Sequence, residues 1–285
     1  MKKIIKSLIE KFPRLAFILR QIRDIKYINH EAKITPHGFK LIGNQQMQMG
    51  SFEPHETKLI KKILPKVNTV INVGANIGYY SCLSLKYGKK VIAFEPIELN
   101  LKYLYKNIRA NGYENNIEIF PIGLSNKTGI VEIYGGGTGA SLLKGWAGNP
   151  ENQISLIPCS TLDNIIGNKL NNKNVLLIVD IEGAEYLFLK GSSQMLNMKP
   201  KPIWLVEISV KEHQPKGITV NPNLLKTFEL FWSKGYEAVT ADQHLKKITK
   251  EEIKKIMLTE DDTLGIHNFL FFDKVSSVAK SLTKH

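Results

Sequence analysis

The feature that most constrains this chain is an apolar β-type run that breaks into a glycine-bracketed turn and then into an amphipathic helix. Thr69-Val-Ile-Asn-Val73 leads into Gly74-Ala-Asn-Ile-Gly78, and Tyr79 opens the helical pattern. The next β-type run, Lys90-Val-Ile-Ala-Phe94, ends in Glu95, 21 positions after Gly74. A carboxylate at that strand end can take both hydroxyls of a ribose, so the two pieces together predict a nucleotide-type cofactor on an α/β sheet.

Strand and helix signals alternate along the rest of the chain. Strands are expected at 69–74, 90–95 and 117–122 with helices at 77–87 and 98–111 between them. Apolar runs at 175–180 and 203–208 are bounded by helical patterns, and 236–240 with 266–272 reads as a final pair. That order implies a parallel sheet covered by helices on both sides. Ahead of it, Pro54 and the apolar positions 59, 60, 63 and 64 predict a helix over 53–64 that ends near Pro65. The runs 130–134 and 154–158 flank Gly135-Gly-Gly-Thr-Gly139 and read as a hairpin carrying a loop on the substrate side.

The turn separates two kinds of cofactor. A dinucleotide fingerprint beginning at Gly74 requires glycines at 76 and 79, where this chain has Asn76 and Tyr79. A cofactor without a pyrophosphate needs no such approach but still needs a ribose partner at Glu95, which S-adenosylmethionine satisfies better than NAD. In this reading Gly74 allows the sharp bend, and Gly78 lets the helix start pack closely under the cofactor.

Several motifs then recur in one order: Asn72-Val-Gly-Ala-Asn-Ile-Gly-Tyr79, Phe94-Glu-Pro96, Asn107-Ile-Arg-Ala-Asn111, Thr161-Leu-Asp163, Asp180-Ile-Glu-Gly-Ala-Glu185 and Val206-Glu207. Over about residues 50–210 this set resembles the FkbM-type methyltransferase family. The resemblance implies a class I, Rossmann-like, mostly parallel seven-stranded sheet with helices on both faces, here behind an N-terminal basic helical extension. It implies S-adenosylmethionine as cofactor and O-methylation of a sugar or natural product. The cofactor residues it suggests are Asn72, Val73, Gly74, Ala75, Asn76, Gly78, Tyr79, Glu95, Pro96, Gly123, Ser125 and Asp180. Two positions depart from the family pattern: Asn72 stands where Asp is usual, and Val179 where Lys is common.

Methyl transfer to a hydroxyl is an in-line displacement that rests first on positioning and second on a base. Asp180, Glu182 and Glu185 follow the run 175–179, at the strand end where open α/β sheets bind ligands. Asp180 is expected to face the methyl group and Glu182 to act as base or orienter, while Glu185 either joins them or stabilises the next helix through its dipole. Glu207 and Trp146 are candidates for contact with the acceptor. Three acids could also hold a divalent ion, but an orienting role needs none and no metal is expected.

The chain of 285 residues carries a formal charge of +13, and residues 1–40 hold ten Lys/Arg against three Asp/Glu. That asymmetry favours an anionic partner for the N-terminus, either a phospholipid surface or a phosphate-bearing substrate carrier, over a nucleic-acid groove through the whole domain. The expected organisation is a basic arm with a small hairpin or lid over 1–52, the methyltransferase domain over 53–275 and a tail over 276–285. With two unspaced cysteines and the apolar N-terminal run interrupted by charge, the expected compartment is the cytoplasm, with peripheral membrane contact through 1–40. Three other functions stay open at this level: an NAD-type oxidoreductase, a nucleic-acid methyltransferase and a non-catalytic module that keeps the cofactor fold.

Overall fold

The computed structural model describes residues 31–275; the basic helix expected within 1–30 and the tail at 276–285 lie outside the described residues. A short strand pair, β1 (Lys33–Ile34) and β2 (Lys40–Leu41), and helix α1 (Gln45–Gln48) lead to α2 (Pro54–Ile63). The alternating part begins with β3 (Thr69–Val73), α3 (Tyr79–Lys86), β4 (Lys90–Phe94), α4 (Glu98–Ala110) and β5 (Ile117–Phe120). The chain then forms β6 (Gly123–Leu124), β7 (Gly129–Tyr134) and β8 (Ile154–Ser160) before α5 (Leu162–Ile166) returns it to β9 (Val175–Val179). Helices α6 (Glu185–Lys190) and α7 (Ser193–Asn197) precede β10 (Ile203–Glu207), and α8 (Leu224–Trp232), β11 (Tyr236–Thr240), α9 (Lys250–Thr259) and β12 (Asn268–Asp273) complete it.

The main sheet has seven strands in the order β11-β12-β10-β9-β3-β4-β5. Strands β10, β9, β3, β4 and β5 run parallel, and β12 is antiparallel to both its neighbours. The wall-to-wall apolar character of the central strands has a simple cause: alternate residues feed two different cores. Ile71, Val73, Ile92, Phe94, Leu177 and Val179 face one, whereas Val70, Val91, Ala93, Leu176 and Ile178 face the other. Strand order reverses between β3 and β9, so the carboxyl ends of these two strands open the crevice where such sheets take their ligands.

The predicted hairpin is present, with Ile130 opposite Pro158 and Tyr134 opposite Ile154. What the pattern did not reveal is β6, two residues long, which pairs parallel to β8 and makes a separate three-stranded sheet. A strand this short carries no periodicity to read.

The segment before α2 is stitched to α4 by two asparagines. Asn107 accepts from the Ile42 amide at 2.6 Å and donates to the Ile42 and Ile77 carbonyls at 3.0 and 2.8 Å. One turn on, Asn111 accepts from the Lys40 amide and donates to its carbonyl, both at 2.7 Å. Each amide side chain thus pairs with a backbone as a neighbouring strand would. Phe39, Leu41 and Met47 of this segment share a core with Val70 and Leu176. Among the described residues no helix is long and apolar enough to cross a membrane.

Candidate active site

A cleft enclosing about 610 Å³ of non-protein space, partly open to solvent, lies at the carboxyl ends of β3, β4 and β9. Val73, Gly74, Asn76, Glu95, Pro96, Gly123, Asp180 and Glu182 all line it. The structure therefore brings together half of the residues that the sequence suggested, from four separated segments of the chain.

Glu95 is 3% exposed and its carboxylate is held from three sides. Oε2 accepts from the Asn76 amide at 2.8 Å, and Oε1 accepts from the Ile97 amide at 2.9 Å and from Asn100 Nδ2 at 3.1 Å. Burial outweighs these donors and pushes its pKa up to about 7. An ionised carboxylate offers about four acceptor positions, so one remains for a hydroxyl presented from the cleft. With the Gly74–Asn76 turn beside it and the apolar walls of Phe94, Ile122, Leu124 and Ile157 opposite, the residues present fit a nucleoside-type cofactor.

Five of the expected cofactor residues lie elsewhere. Asn72 is 3% exposed and donates through Nδ2 to Ser81 Oγ at 3.0 Å, because position 72 shares the strand face of Val70 and turns toward α3. Its departure from Asp therefore removes no charge from the cleft. Ala75 is packed in the core with Val70. Tyr79 points into an aromatic group with Phe39, Phe52 and Tyr80 at ring distances of 5.7, 5.2 and 5.2 Å. Ser125 is buried, its amide donating to the Ser160 carbonyl at 2.9 Å. The role given to Gly78 also changes. A Cβ there would lie 2.5 Å from Leu104 Cδ1, so the glycine admits α4 rather than a cofactor.

At the end of β9 the chain turns sharply through Glu182 (φ 54°) and Gly183 (φ 93°). Two groups from the glycine-rich connection clamp this left-handed turn. Trp146 Nε1 donates to Glu182 Oε2 at 2.8 Å, and Ser141 Oγ donates to the Glu182 carbonyl at 2.6 Å. The indole lies against Gly183, where a Cβ would come 2.6 Å from Cζ3. Trp146 is only 1% exposed, so instead of stacking on an acceptor it orients the carboxylate that faces one. Replacing Trp146 by Phe keeps an aromatic side chain at this position and deletes the donor. A hydrogen bond to a charged group contributes about 1.5–3 kcal/mol, and chemical denaturation of Trp146→Phe is expected to show a loss in that range.

Asp180 differs from its neighbour. Its side chain opens onto the cleft, and the described structure provides its carboxylate with no hydrogen-bond donor. The cleft itself is walled by protein, so desolvation raises the Asp180 pKa well above the usual carboxylate range, with further contributions from Glu182, Glu53, Glu185 and Glu95. Glu207, at the end of the adjacent β10, is raised in the same direction, first by burial and then by Asp180, Glu182 and Glu53. Glu185 accepts from the Gly183 amide at 2.9 Å, is 3% exposed and does not reach the cleft. It closes the turn, which is the capping alternative offered by the sequence.

Glu53 is the acid that sequence reasoning missed. It sits at φ 39° just before α2, receives the Tyr80 hydroxyl and adds to the electrostatics of both Asp180 and Glu207. No motif marks it; only the fold carries residue 53 to the ends of β9 and β10. Asn100 was also missed, although its place in the first turn of α4, five residues after Glu95, is a usable signal. Among the described residues no group of three His, Cys, Asp or Glu side chains is placed to hold a metal ion.

The family model for the methyltransferase FkbM domain matches residues 72–238. Among solved structures, a methyltransferase FkbM from Methylobacillus flagellatus KT is 20% identical, with a TM-score of 0.46, over 72% of this chain and 43% of that one. The O-methyltransferase from Bacillus cereus, in complex with SAH, is 11% identical with a TM-score of 0.44, over 77% of this chain and 80% of that one. This chain thus spans less than half the length of the first of these relatives. No curated protein matches it in sequence.

Proposed function

Because this chain belongs to the FkbM methyltransferase family, we propose that it methylates an oxygen of a saccharide or related polyhydroxylated acceptor. The family's cofactor is S-adenosylmethionine, which supplies a methyl group on a positively charged sulfur. Glu95 would hold its ribose and the Gly74–Asn76 turn its neighbouring atoms. Asp180 and Glu182 would face the reacting end.

The observation that carries this reading is the unlike pair at the end of β9. Glu182 is anchored through Trp146 and the strained turn, which suits an orienting role. Asp180 has no protein donor, lines the cleft and holds its proton more tightly than an ordinary aspartate, which brings it nearer the working pH of a general base. A hydroxyl donating to Asp180 would give its proton to that carboxylate as its oxygen takes the methyl group, the sulfur leaving as a neutral thioether. These roles reverse the emphasis that sequence alone placed on Glu182 as the base.

The test has two parts. Calorimetry with S-adenosylhomocysteine should give binding that Glu95→Ala weakens at least tenfold, about 1.4 kcal/mol. Since a carboxylate accepts from a ribose hydroxyl better than a carboxylic acid does, affinity should fall as pH is lowered through about 7. Transfer of a labelled methyl group to saccharides, but not to RNA or DNA, should follow; strong NAD binding with no S-adenosylhomocysteine binding would sink the proposal.

A further inference from the structure

Outside the cleft, a second groove runs along α2 and encloses about 700 Å³ of non-protein space, open to solvent. Its walls are His37, Gly50, Pro54, Thr57, Lys58, Lys61 and Lys62. No acidic side chain is among them. Lys58, Lys61 and Lys62 stand three and four residues apart, on one helical face, where like charges oppose helix formation. Lysines in the last turn of a helix do favour its dipole, which accounts for Lys61 and Lys62. It does not account for the exposed Lys58, nor for the half-buried Lys61, whose charge acts on His37.

Charges taken partly out of water are ordinarily paired. Among the described residues none of the three lysines has a carboxylate within ion-pair reach. Glu56, the acid on the same helix, is engaged instead by Asn268 Nδ2 at 3.2 Å. His37 adds an independent sign of a missing partner: its Nε2 is fully enclosed and makes no hydrogen bond. Burial and the Lys61 charge both hold its pKa below the usual value, as expected where cations crowd together with no anion between them.

The groove also connects to the chemistry. Pro54 lines it, and Glu53 is the acid that faces Asp180 and Glu207. At about 1.5 Å rise per residue, Lys58 and Lys61 lie about 7 and 12 Å along the helix from Glu53.

We propose that this groove binds a phosphate group carried by the methyl acceptor, with Lys58, Lys61 and Lys62 as its charge partners. The acceptor assignment rests on the methyltransferase reading above; the anion site itself does not.

The experiment is calorimetry on the full chain at fixed ionic strength, using inorganic phosphate, glucose 1-phosphate and glucose, with S-adenosylhomocysteine as a separate titrant. The comparison protein carries Lys58→Gln, Lys61→Gln and Lys62→Gln together. Phosphate affinity should fall tenfold or more in this variant, while S-adenosylhomocysteine binds both proteins alike and reports an intact domain. Glucose 1-phosphate should bind the parent at least tenfold more tightly than glucose if the phosphate arrives on a soluble sugar. Sedimentation with phosphatidate vesicles, against phosphatidylcholine vesicles, covers the other source. Capture of the parent but not the variant would assign the phosphate to a lipid-linked acceptor. Absence of phosphate binding by the parent, or equal binding by both proteins, overturns the site. Failure of the parent to bind S-adenosylhomocysteine would sink the methyltransferase reading instead, so the two failures are distinct.

Discussion

Gly74→Ala is expected to lower stability by about 3–5 kcal/mol, combining a side chain forced to a positive φ with overpacking of a filled interior. The glycine has φ 77°, and a Cβ would stand 1.8 Å from the carbonyl oxygen of Asp180. The obstacle is backbone, so no rotamer relieves it; the end of β9 must move away from β3. That displacement also moves Asp180, and residual folded protein should lose both cofactor binding and methyl transfer. Gly88→Ala is the internal control, because Gly88 has φ 70° and nothing lies within 4 Å of its added Cβ. It should cost only the conformational term, about 1–2 kcal/mol. Denaturant unfolding of both variants separates strain from collision, and equal losses would contradict the account.

Asp180→Asn is expected to reduce kcat by about 10²–10⁴-fold, the usual range for a lost general base. The amide keeps the size of the side chain and removes its charge. Two further readouts separate a base from a merely structural residue. In the parent, the rate should rise with pH through a pKa above the ordinary aspartate range, because the protein walls of the cleft and the surrounding acids favour the protonated form and only the carboxylate can take a proton. Asp180→Asn should abolish that limb. The variant should also unfold no more easily than the parent at neutral pH, since it removes a negative charge from among Glu182, Glu53, Glu185 and Glu95. A kcat within a few-fold of the parent would remove Asp180 from the base role and return it to Glu182.

How legible the site was differs from residue to residue. Glu95 could be read because a single strand end fixes it: the carboxylate follows directly from where β4 stops. Asp180 and Glu182 were readable for the same reason at β9. Tyr79 and Gly78 were misplaced because consecutive residues at a helix start diverge by about 100° each, and only packing against α4 and the aromatic group decides which side faces the cleft. Trp146 had the right neighbourhood and the wrong role. Its contact with Glu182 spans 36 residues, a separation at which a loop's direction leaves no local pattern.

The sequence by itself therefore determined the element order, the strand ends that carry acids and the family, since each depends on local periodicity or collinear motifs. The tertiary structure decided which acids meet. Glu53 joins Asp180 and Glu207 only because α2 packs its first turn over the ends of β9 and β10. Asn72 leaves the site only because alternation on β3 turns it toward Ser81. Both outcomes depend on side-chain direction across packed elements, which chain order does not encode locally and burial of the two cores does.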